Sequence, residues 1–247
     1  MDRDLEQYAR DYQIQPFEPF LVKARQQLWL NKLGDVSNSS ILEIGCASAP
    51  AFTWISSCKN LLVLEPSTIF YDQAITTFQN SSITYPVEIL PLKIEDWLKQ
   101  VTTPMDVILM SSLLHELPDP QQTLQELRKA LSPKGKLFLT VPNAYSFHRR
   151  LAVAMGAIAD VQSFSGANHH FQQQQVFTPI ILEDLLNKTG YAIVEAGDYF
   201  IKPFTHAQLQ KMVDNDIINI DIINGLMKLS AELPGWGAEL YRIVKPL

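Results

Sequence analysis

A short apolar segment followed by a loop of very small residues is the feature that most constrains this chain. Residues 41–44 (ILEI) run directly into the loop 45–50 (GCASAP). Such a loop lets the backbone approach a ligand closely, because its residues carry little or no side chain. A second apolar segment at 61–64 ends in Glu65, whose carboxylate can accept hydrogen bonds from both hydroxyls of a ribose. Together the two segments predict a nucleoside site at the edge of an open α/β sheet.

The composition is that of an ordinary globular protein and argues against several kinds of partner. The chain has 247 residues, of which 47% are hydrophobic and 19% charged, and its net charge is −6. This charge disfavours a nucleic-acid partner, since binding a phosphate backbone needs a basic face. Two cysteines give neither a disulfide framework nor the spacing of a metal site. We therefore expect no metal and no nucleic-acid partner.

No segment of the sequence indicates insertion into a membrane. The first residues are charged and lack the apolar core of a signal peptide. The longest apolar run, 151–161, falls short of the ~18 residues that span a bilayer and contains Gly156 and Asp160. We expect a cytoplasmic protein without a membrane span.

Predicted strands and helices alternate along most of the chain. Apolar segments predict strands at 41–44, 61–65, 87–90, 106–111, 136–141, 192–195 and 238–244. Helical patterns predict helices at 51–57, 70–78, 94–101, 120–131 and 178–188 and mainly helical structure over 206–230, with a turn at 133–135. This alternation implies an α/β fold in which helices cover both faces of a parallel sheet.

Two segments fall outside this alternation. Residues 1–40 predict a helix, a break at Pro16 and Pro19, and a second helix that ends at Gly34. Residues 142–176 contain no convincing strand, and a segment of this length within a domain is usually a functional lid or insertion. We therefore predict an N-terminal helical cap at 1–40 and a domain at 41–247 with a lid at about 142–176.

These segments resemble the signatures of class I S-adenosylmethionine-dependent methyltransferases. Residues 43–49 (EIGCASA) are similar to the first signature, acidic-x-Gly-x-Gly-x-Gly, and Glu65 stands at the place of the ribose-binding acid. Residues 95–97 (EDW) match the place of an acidic residue near the adenine, and 106–117 (DVILMSSLLHEL) match the fourth-strand signature. The resemblance is strong from about 40 to 142 and weak over the remaining chain from 177 onward.

The resemblance implies a fold, a cofactor and a set of binding residues. The fold is a Rossmann-like sheet of seven mostly parallel strands in the order 3-2-1-4-5-7-6, with the last strand antiparallel. The cofactor is S-adenosylmethionine. The residues that the resemblance assigns to it are Glu43, Gly45, Cys46, Ala47, Glu65, Pro66, Glu95, Asp96, Trp97 and Ser111.

The loop departs from the family signature at two of its three glycines. Ala47 and Ala49 stand at these positions, and Pro50 follows. Alanine adds only a methyl group but penalises a positive φ. A left-handed backbone at either position would therefore strain the loop.

Three histidines are candidates for the general base that accepts a proton from an attacking hydroxyl, since a histidine pKa lies near neutrality. His115 follows the fourth predicted strand, at the edge where ligands collect in such sheets, although it could instead pack beside the cofactor. His169 and His170 lie in the predicted lid, where they are either base candidates or residues of a solvated loop.

Three further residues are candidates for contact with the substrate. His148 and Arg149 could hold a phosphate or carboxylate, or they could lie on a solvated helix face. Trp236 lies between two glycines and could line the acceptor pocket or pack at an edge of the fold.

The predicted activity follows from the resemblance of two further segments. Residues 142–151 (PNAYSFHRRL) and 177–179 (FTP) are similar to small-molecule and sugar O-methyltransferases. We therefore predict methylation of a small hydroxylated metabolite, a sugar or a natural-product intermediate, by a monomer or homodimer. Two alternatives stay open: a non-catalytic nucleoside-binding or scaffold protein that retains the fold, and a nicotinamide-dependent oxidoreductase, although the loop lacks the third glycine of the dinucleotide fingerprint.

Overall fold

Seven strands form one mixed sheet in the computed structural model, which describes residues 3–15, 17–101 and 103–247. The strands are β1 (Ser40–Ile44), β2 (Asn60–Leu64), β3 (Val87–Leu90), β4 (Met105–Ser111), β5 (Leu131–Pro142), β6 (Tyr191–Tyr199) and β7 (Glu239–Pro246). Their order is β3-β2-β1-β4-β5-β7-β6. Strands β1 to β5 pair in parallel, and β7 is antiparallel to both β5 and β6. The predicted fold class and strand order are confirmed.

Ten α-helices connect or flank these strands in the described part of the chain. They are α1 (Leu5–Gln13), α2 (Glu18–Leu33), α3 (Thr68–Gln79), α4 (Ile94–Trp97), α5 (Pro120–Ala130), α6 (Phe147–Ala154), α7 (Gly166–His170), α8 (Pro179–Lys188), α9 (His206–Asp214) and α10 (Ile220–Leu229). None of the described helices is long and apolar enough to cross a bilayer.

The helices cover both faces of the sheet because the central strands are apolar on both sides. In β4, Val107 and Leu109 pack into the core on the side of α2, α3, α9 and α10. Ile108 and Met110, which alternate with them, pack on the side of α4, α5 and α8. Strands buried on both faces are typical of parallel sheets with crossover helices.

Two predicted helices are shorter in the structure. Residues 51–57 form only a 3₁₀ turn at Ala51–Thr53, since the following β-branched and serine residues favour other backbone conformations. The helix predicted at 94–101 ends as an α-helix at Trp97. Pro19 does not break the chain but lies in the first turn of α2, where its missing N–H costs nothing. Pro16, the other predicted breaker, lies outside the described residues.

The turn predicted at 133–135 is an irregularity within β5 rather than its start. Leu131 already pairs with Met105, and the register shifts before Lys136 pairs with Val107. Gly135 permits this close approach, because a Cβ there would lie 2.7 Å from the backbone oxygen of Met105. The strand therefore begins five residues earlier than the sequence pattern predicts.

Helices α1 and α2 precede the sheet, and α6 and α7 occupy most of the segment from 147 to 170. The segment after β5 is attached to the residues that precede β7, because the Asn143 side chain donates to the Gly237 carbonyl at 2.8 Å. Apart from the end of β5, the described β structure of the 142–176 segment consists of an isolated bridge between Asn143 and Phe177. The roles of a cap and a lid for these segments stay predictions.

A buried ion pair joins α2 to the last strand. Arg25 Nη2 lies 2.6 Å from Glu239 Oε1, and Tyr199 also donates its hydroxyl to this carboxylate. Burial alone would raise the pKa of Glu239, but the charge and hydrogen bonds of Arg25 and Tyr199 outweigh it and lower the pKa to about 2. Removing one partner would leave a buried charge without compensation.

We expect Glu239→Gln to lower the free energy of unfolding by about 3 kcal/mol, because the buried Arg25 then loses its closer counter-charge and keeps only Glu18, 3.8 Å away. Glu195→Gln is the matched control, since it breaks the more exposed pair with Lys32 and should cost less than about 1 kcal/mol. Urea denaturation of both variants measures the difference. Equal losses would contradict the assigned role of the buried pair.

Candidate functional site

A cavity of about 420 Å³ lies at the carboxyl ends of the central strands, and we call it the first cavity. Strands β1, β2 and β4 all end at this edge of the sheet. The residues that follow β1 and β2 form much of its wall: Gly45, Cys46, Ala47, Ser48, Ala49, Glu65, Pro66 and Ser67. The small-residue loop and the strand-end acid therefore meet at one site, as the sequence predicts.

The loop after β1 turns through two left-handed residues. Gly45 has φ +73° and donates its N–H to the Leu64 carbonyl at 2.8 Å. Ala47 has φ +45°, whereas Ala49 is not among the residues with positive φ. One of the two replaced glycines thus stands where an L-residue is strained, by about 1–2 kcal/mol.

Glu65 holds this strained loop in place. Its Oε2 accepts the Ala47 N–H at 3.0 Å, and its Oε1 accepts the Ser67 N–H at 3.1 Å. Burial raises the pKa of Glu65, and these backbone hydrogen bonds oppose the rise. The Ser67 hydroxyl is buried beside it with no hydrogen-bond partner among the described residues. The site therefore combines a carboxylate with an unused hydroxyl, which suits the two hydroxyls of a ribose.

Glu43 supports the loop from its other end. Its carboxylate accepts the Ala51 N–H at 2.7 Å. Burial, together with the nearby charge of Glu65, raises the pKa of Glu43 to about 8 despite this hydrogen bond. The neighbouring Cys46 thiol is also buried, which raises its pKa well above the usual value. A thiol in that state is a small filler of the loop and a poor nucleophile.

The structure brings nine of the ten predicted cofactor residues to the wall of the first cavity. Trp97 is the exception. Its side chain is buried in the core beside Ile94 and Met105. It therefore packs α4 against the core and does not reach the cavity. The motif predicts that Trp97 contacts the cofactor together with Glu95 and Asp96. Successive residues of a helix point in different directions, so Trp97 does not follow its two acidic neighbours.

A second, larger cavity of about 740 Å³ adjoins the first. It lies among α1, α2, α6, α7 and the segment that leads into α9. The two cavities share five wall residues, which are Tyr8, Tyr12, Arg25, Ser112 and Glu116. Ser112, directly after β4, has a left-handed backbone with φ +51°. The molecule therefore has two adjoining chambers with a shared wall at the carboxyl edge of β4.

The structure places one of the three candidate histidine bases at a cavity. His115 lines the second cavity but is 3% exposed, and burial lowers its pKa to about 3. His169 and His170 are exposed and line neither cavity. His170 instead lies 3.3 Å from Asp11 of α1, and His169 packs near Phe164. Both side chains face away from the chambers, so their prediction as bases above the pocket is not supported.

Among the predicted substrate residues, only His148 keeps free hydrogen-bonding capacity at a cavity. It lines the second cavity, and its Nδ1 is buried without a partner in the described chain. Arg149 also lines that cavity, but its guanidinium donates to the carbonyls of Val161 and Ser163 and so braces the loop before α7. Trp236 lines neither cavity and packs against Arg150, whose guanidinium carbon lies 4.6 Å from its ring centre.

Sequence reasoning missed the charged groups that the fold assembles around the second cavity. Glu116 follows His115 in the fourth-strand signature, so attention to its position could have identified it. Lys202 lies in the connection from β6 to α9, His206 is the first residue of α9, and Glu18 begins α2. These three come together only through tertiary packing, and no spacing in the sequence signals it. Among residues 3–15, 17–101 and 103–247, no cluster of three potential metal-ligating side chains is found.

We expect Ala47→Gly to raise the free energy of unfolding by about 0.5 kcal/mol. Relief of the left-handed strain, about 1–2 kcal/mol, exceeds the free-energy cost of the greater conformational freedom that glycine gives the unfolded chain. Ala49→Gly is the control and should lower stability by about 0.5–1 kcal/mol, because its backbone gains nothing from glycine. Thermal unfolding compares the two variants. A loss of stability in both would show that Ala47 is not strained.

Comparison with known proteins supports the interpretation of the fold and the first cavity. A family model described as "Methyltransferase domain" matches residues 12–196. The tRNA U34 carboxymethyltransferase of Cellvibrio japonicus is 29% identical over 113 residues, which cover 44% of this chain and 34% of that protein. The chain thus matches about a third of the length of this curated relative.

Solved structures show the same fold at low sequence identity. An S-adenosylmethionine-dependent methyltransferase of Thermotoga maritima is 18% identical with a TM-score of 0.60, covering 98% of this chain and 96% of that one. The N-methyltransferase NodS of Bradyrhizobium japonicum, solved with S-adenosylhomocysteine, is 16% identical with a TM-score of 0.53, covering 92% and 88%.

The family match decides among the three functions that the sequence analysis left open. It covers both the loop after β1 and the acid after β2, and it favours neither a nicotinamide-dependent oxidoreductase nor a scaffold. The buried carboxylate, the small-residue loop and the unpaired Ser67 hydroxyl fit an adenosyl group. The chain belongs to the methyltransferase domain family and is an S-adenosylmethionine-dependent methyltransferase.

Proposed function

We infer that this enzyme methylates an oxygen atom of a small hydroxylated metabolite, such as a sugar or a natural-product intermediate. One observation carries the proposal: the second cavity adjoins the first and shares five wall residues with it. A chamber of about 740 Å³ is of the size that encloses a small ligand. The acceptor would occupy this second cavity, and the cofactor the first.

The cofactor would be held by the residues that follow β1, β2 and β3. Glu65 and Ser67 would bind the ribose hydroxyls, and Glu95 or Asp96 at the start of α4 would lie near the adenine. The loop at 45–49 would allow close approach of the backbone. When bound, S-adenosylmethionine would supply a methyl group that an acceptor oxygen aligned with the carbon–sulfur bond can take, with S-adenosylhomocysteine as the leaving group.

Glu116 is the group best placed to accept the proton of an acceptor hydroxyl. It lies in the shared wall, and its Oε2 accepts a hydrogen bond from Arg3 at 2.7 Å. Burial raises the pKa of Glu116 to about 7, against the lowering effect of Arg3. A base is most effective when its pKa lies near the working pH. Its neighbour His115 is neutral with a pKa of about 3 and is a much weaker base.

The helical walls of the second cavity and the charge of the chain favour a small acceptor over a nucleic acid. Its walls include α1 on one side and α6 and α7 on the other. The net charge of −6 also opposes binding of a polyanion. The partial relative acts on tRNA by its name, and its match to this chain leaves most of that protein uncovered.

Methyl transfer from labelled S-adenosylmethionine tests the acceptor class directly. We expect transfer to at least one compound in a panel of hydroxylated sugars, glycosides and phenols, and none to bulk tRNA. Transfer to tRNA, with none to the small compounds, would contradict the proposal.

We expect Glu116→Gln to lower kcat/KM by about 10²–10³-fold with the acceptor found in that panel, because the base is lost. In the unaltered enzyme kcat/KM should rise with pH through about 7, as Glu116 loses its proton, and then level off. The variant should lack this rise. Glu126→Gln is the control, because it removes an exposed carboxylate paired with Lys129 on α5. An unchanged pH profile in Glu116→Gln would exclude Glu116 as the base.

A further inference from the structure

We propose that the acceptor carries an acidic group, a carboxylate or a phosphate, which pairs with Lys202 in the second cavity. The inference rests on the proposed function, since it places the acceptor in that cavity. It goes further by assigning a chemical class to the acceptor and a residue that selects it.

Lys202 is a half-buried cation without a carboxylate partner. Within the described part of the chain, no carboxylate lies within ion-pair distance of its ammonium group. Its hydrogen-bond partner is His206, whose Nε2 lies 3.3 Å from Lys202 Nζ. His206 Nδ1 lies 3.1 Å from the Gln15 side-chain oxygen, which fixes a proton on Nδ1 and leaves Nε2 as the acceptor. The neutral imidazole of His206 therefore occupies the position beside Lys202 at which a counter-ion would be expected.

The carboxylates nearest to Lys202 are engaged elsewhere. Glu239 is held by Arg25 at 2.6 Å, and Glu18 accepts the Tyr12 hydroxyl at 2.7 Å and lies 3.8 Å from Arg25. Burial lowers the pKa of Lys202, whereas the negative charges of Glu18 and Glu239 raise it. The net effect is a lowered pKa, and neither carboxylate binds the lysine directly.

The two histidines beside Lys202 carry no negative charge, and the two carboxylates that line the same cavity, Glu18 and Glu239, are engaged by Arg25 and by tyrosine hydroxyls. His148 lines the same cavity with a buried, unpartnered Nδ1, and the charge of Lys202 contributes to the lowering of its pKa. The same charge contributes to holding the pKa of His206 at about 3. An anion arriving beside Lys202 would gain a charge-assisted hydrogen bond and could accept a second one from His148.

The rest of the second cavity is suited to an amphipathic molecule. Apolar side chains form much of its wall, including Leu21, Leu151, Ile158, Phe171 and Phe204. Lys202, His148 and His206 line the second cavity only, whereas Ser112 and Glu116 line both. The acidic group would therefore bind away from the shared wall and leave the hydroxyl to face the cofactor.

Calorimetric titration in the presence of S-adenosylhomocysteine tests the proposal with matched pairs of probes. The carboxylate arm compares para-nitrophenyl glucuronide with para-nitrophenyl glucoside, and the phosphate arm compares phenyl phosphate with phenol. The variants are Lys202→Gln, Lys202→Arg and Lys211→Gln. Lys211 is an exposed lysine on α9 that lines neither cavity, so its variant removes the same charge outside the site.

We expect at least one acid to bind the unaltered enzyme about tenfold or more tightly than its neutral partner. Lys202→Gln should abolish this preference, while Lys202→Arg and Lys211→Gln retain it. The arm that shows the effect identifies the acidic group. The inference is overturned if neither acid is preferred, or if the preference survives in Lys202→Gln. Absence of S-adenosylhomocysteine binding would instead refute the proposed function itself.

Discussion

The hydrogen bond from the Ala47 N–H to the Glu65 carboxylate is the interaction on which the rest of the site depends. It joins the end of β1 to the end of β2 across 3.0 Å and holds a left-handed alanine in the loop. Without that hydrogen bond the left-handed residue would lose a contact that holds its strained backbone in place. The chain thus uses a buried carboxylate to retain a left-handed backbone at a position where the family signature has glycine.

The same edge of the sheet supports two chambers with different chemical character. The first is shaped by short loops after parallel strands, so its form follows from the fold. The second is built largely from α1, α2, α6, α7 and the connection before α9, which lie outside the strand-and-helix alternation of the core. The buried pair of Arg25 and Glu239 stands beside the wall that the chambers share, and it fixes α2 against the last strand. The proposed acceptor site is therefore formed by segments outside the alternating core.

The sequence predicts the sheet and the first cavity well because both follow from local patterns. Apolar runs locate all seven strands, and the small-residue loop with Glu65 locates the nucleoside site. The errors arise where tertiary packing overrides the pattern. The turn predicted at 133–135 is part of β5, because Leu131 already pairs with Met105. No local sequence pattern indicates this long-range pairing.

Side-chain direction and long-range assembly account for the other differences. His169 and His170 lie in the expected segment, but a short helix turns them outward, and Trp97 points into the core. Lys202 and His206 meet Glu18 only because β6, α9 and α2 converge in space. Motif reading finds residues near one another in sequence, whereas the second cavity is lined by residues from distant parts of the chain.

The most direct test of this account is calorimetric titration of S-adenosylhomocysteine into the unaltered enzyme, Glu65→Ala and Glu88→Ala. Glu88→Ala removes an exposed carboxylate on the neighbouring strand β3 and serves as the control. Charge-assisted hydrogen bonds contribute about 1.5–3 kcal/mol each, so the account predicts at least about tenfold weaker binding by Glu65→Ala and no change in the control. Equal affinity of the Glu65→Ala variant and the unaltered enzyme would contradict the central claim that this carboxylate holds the adenosyl group.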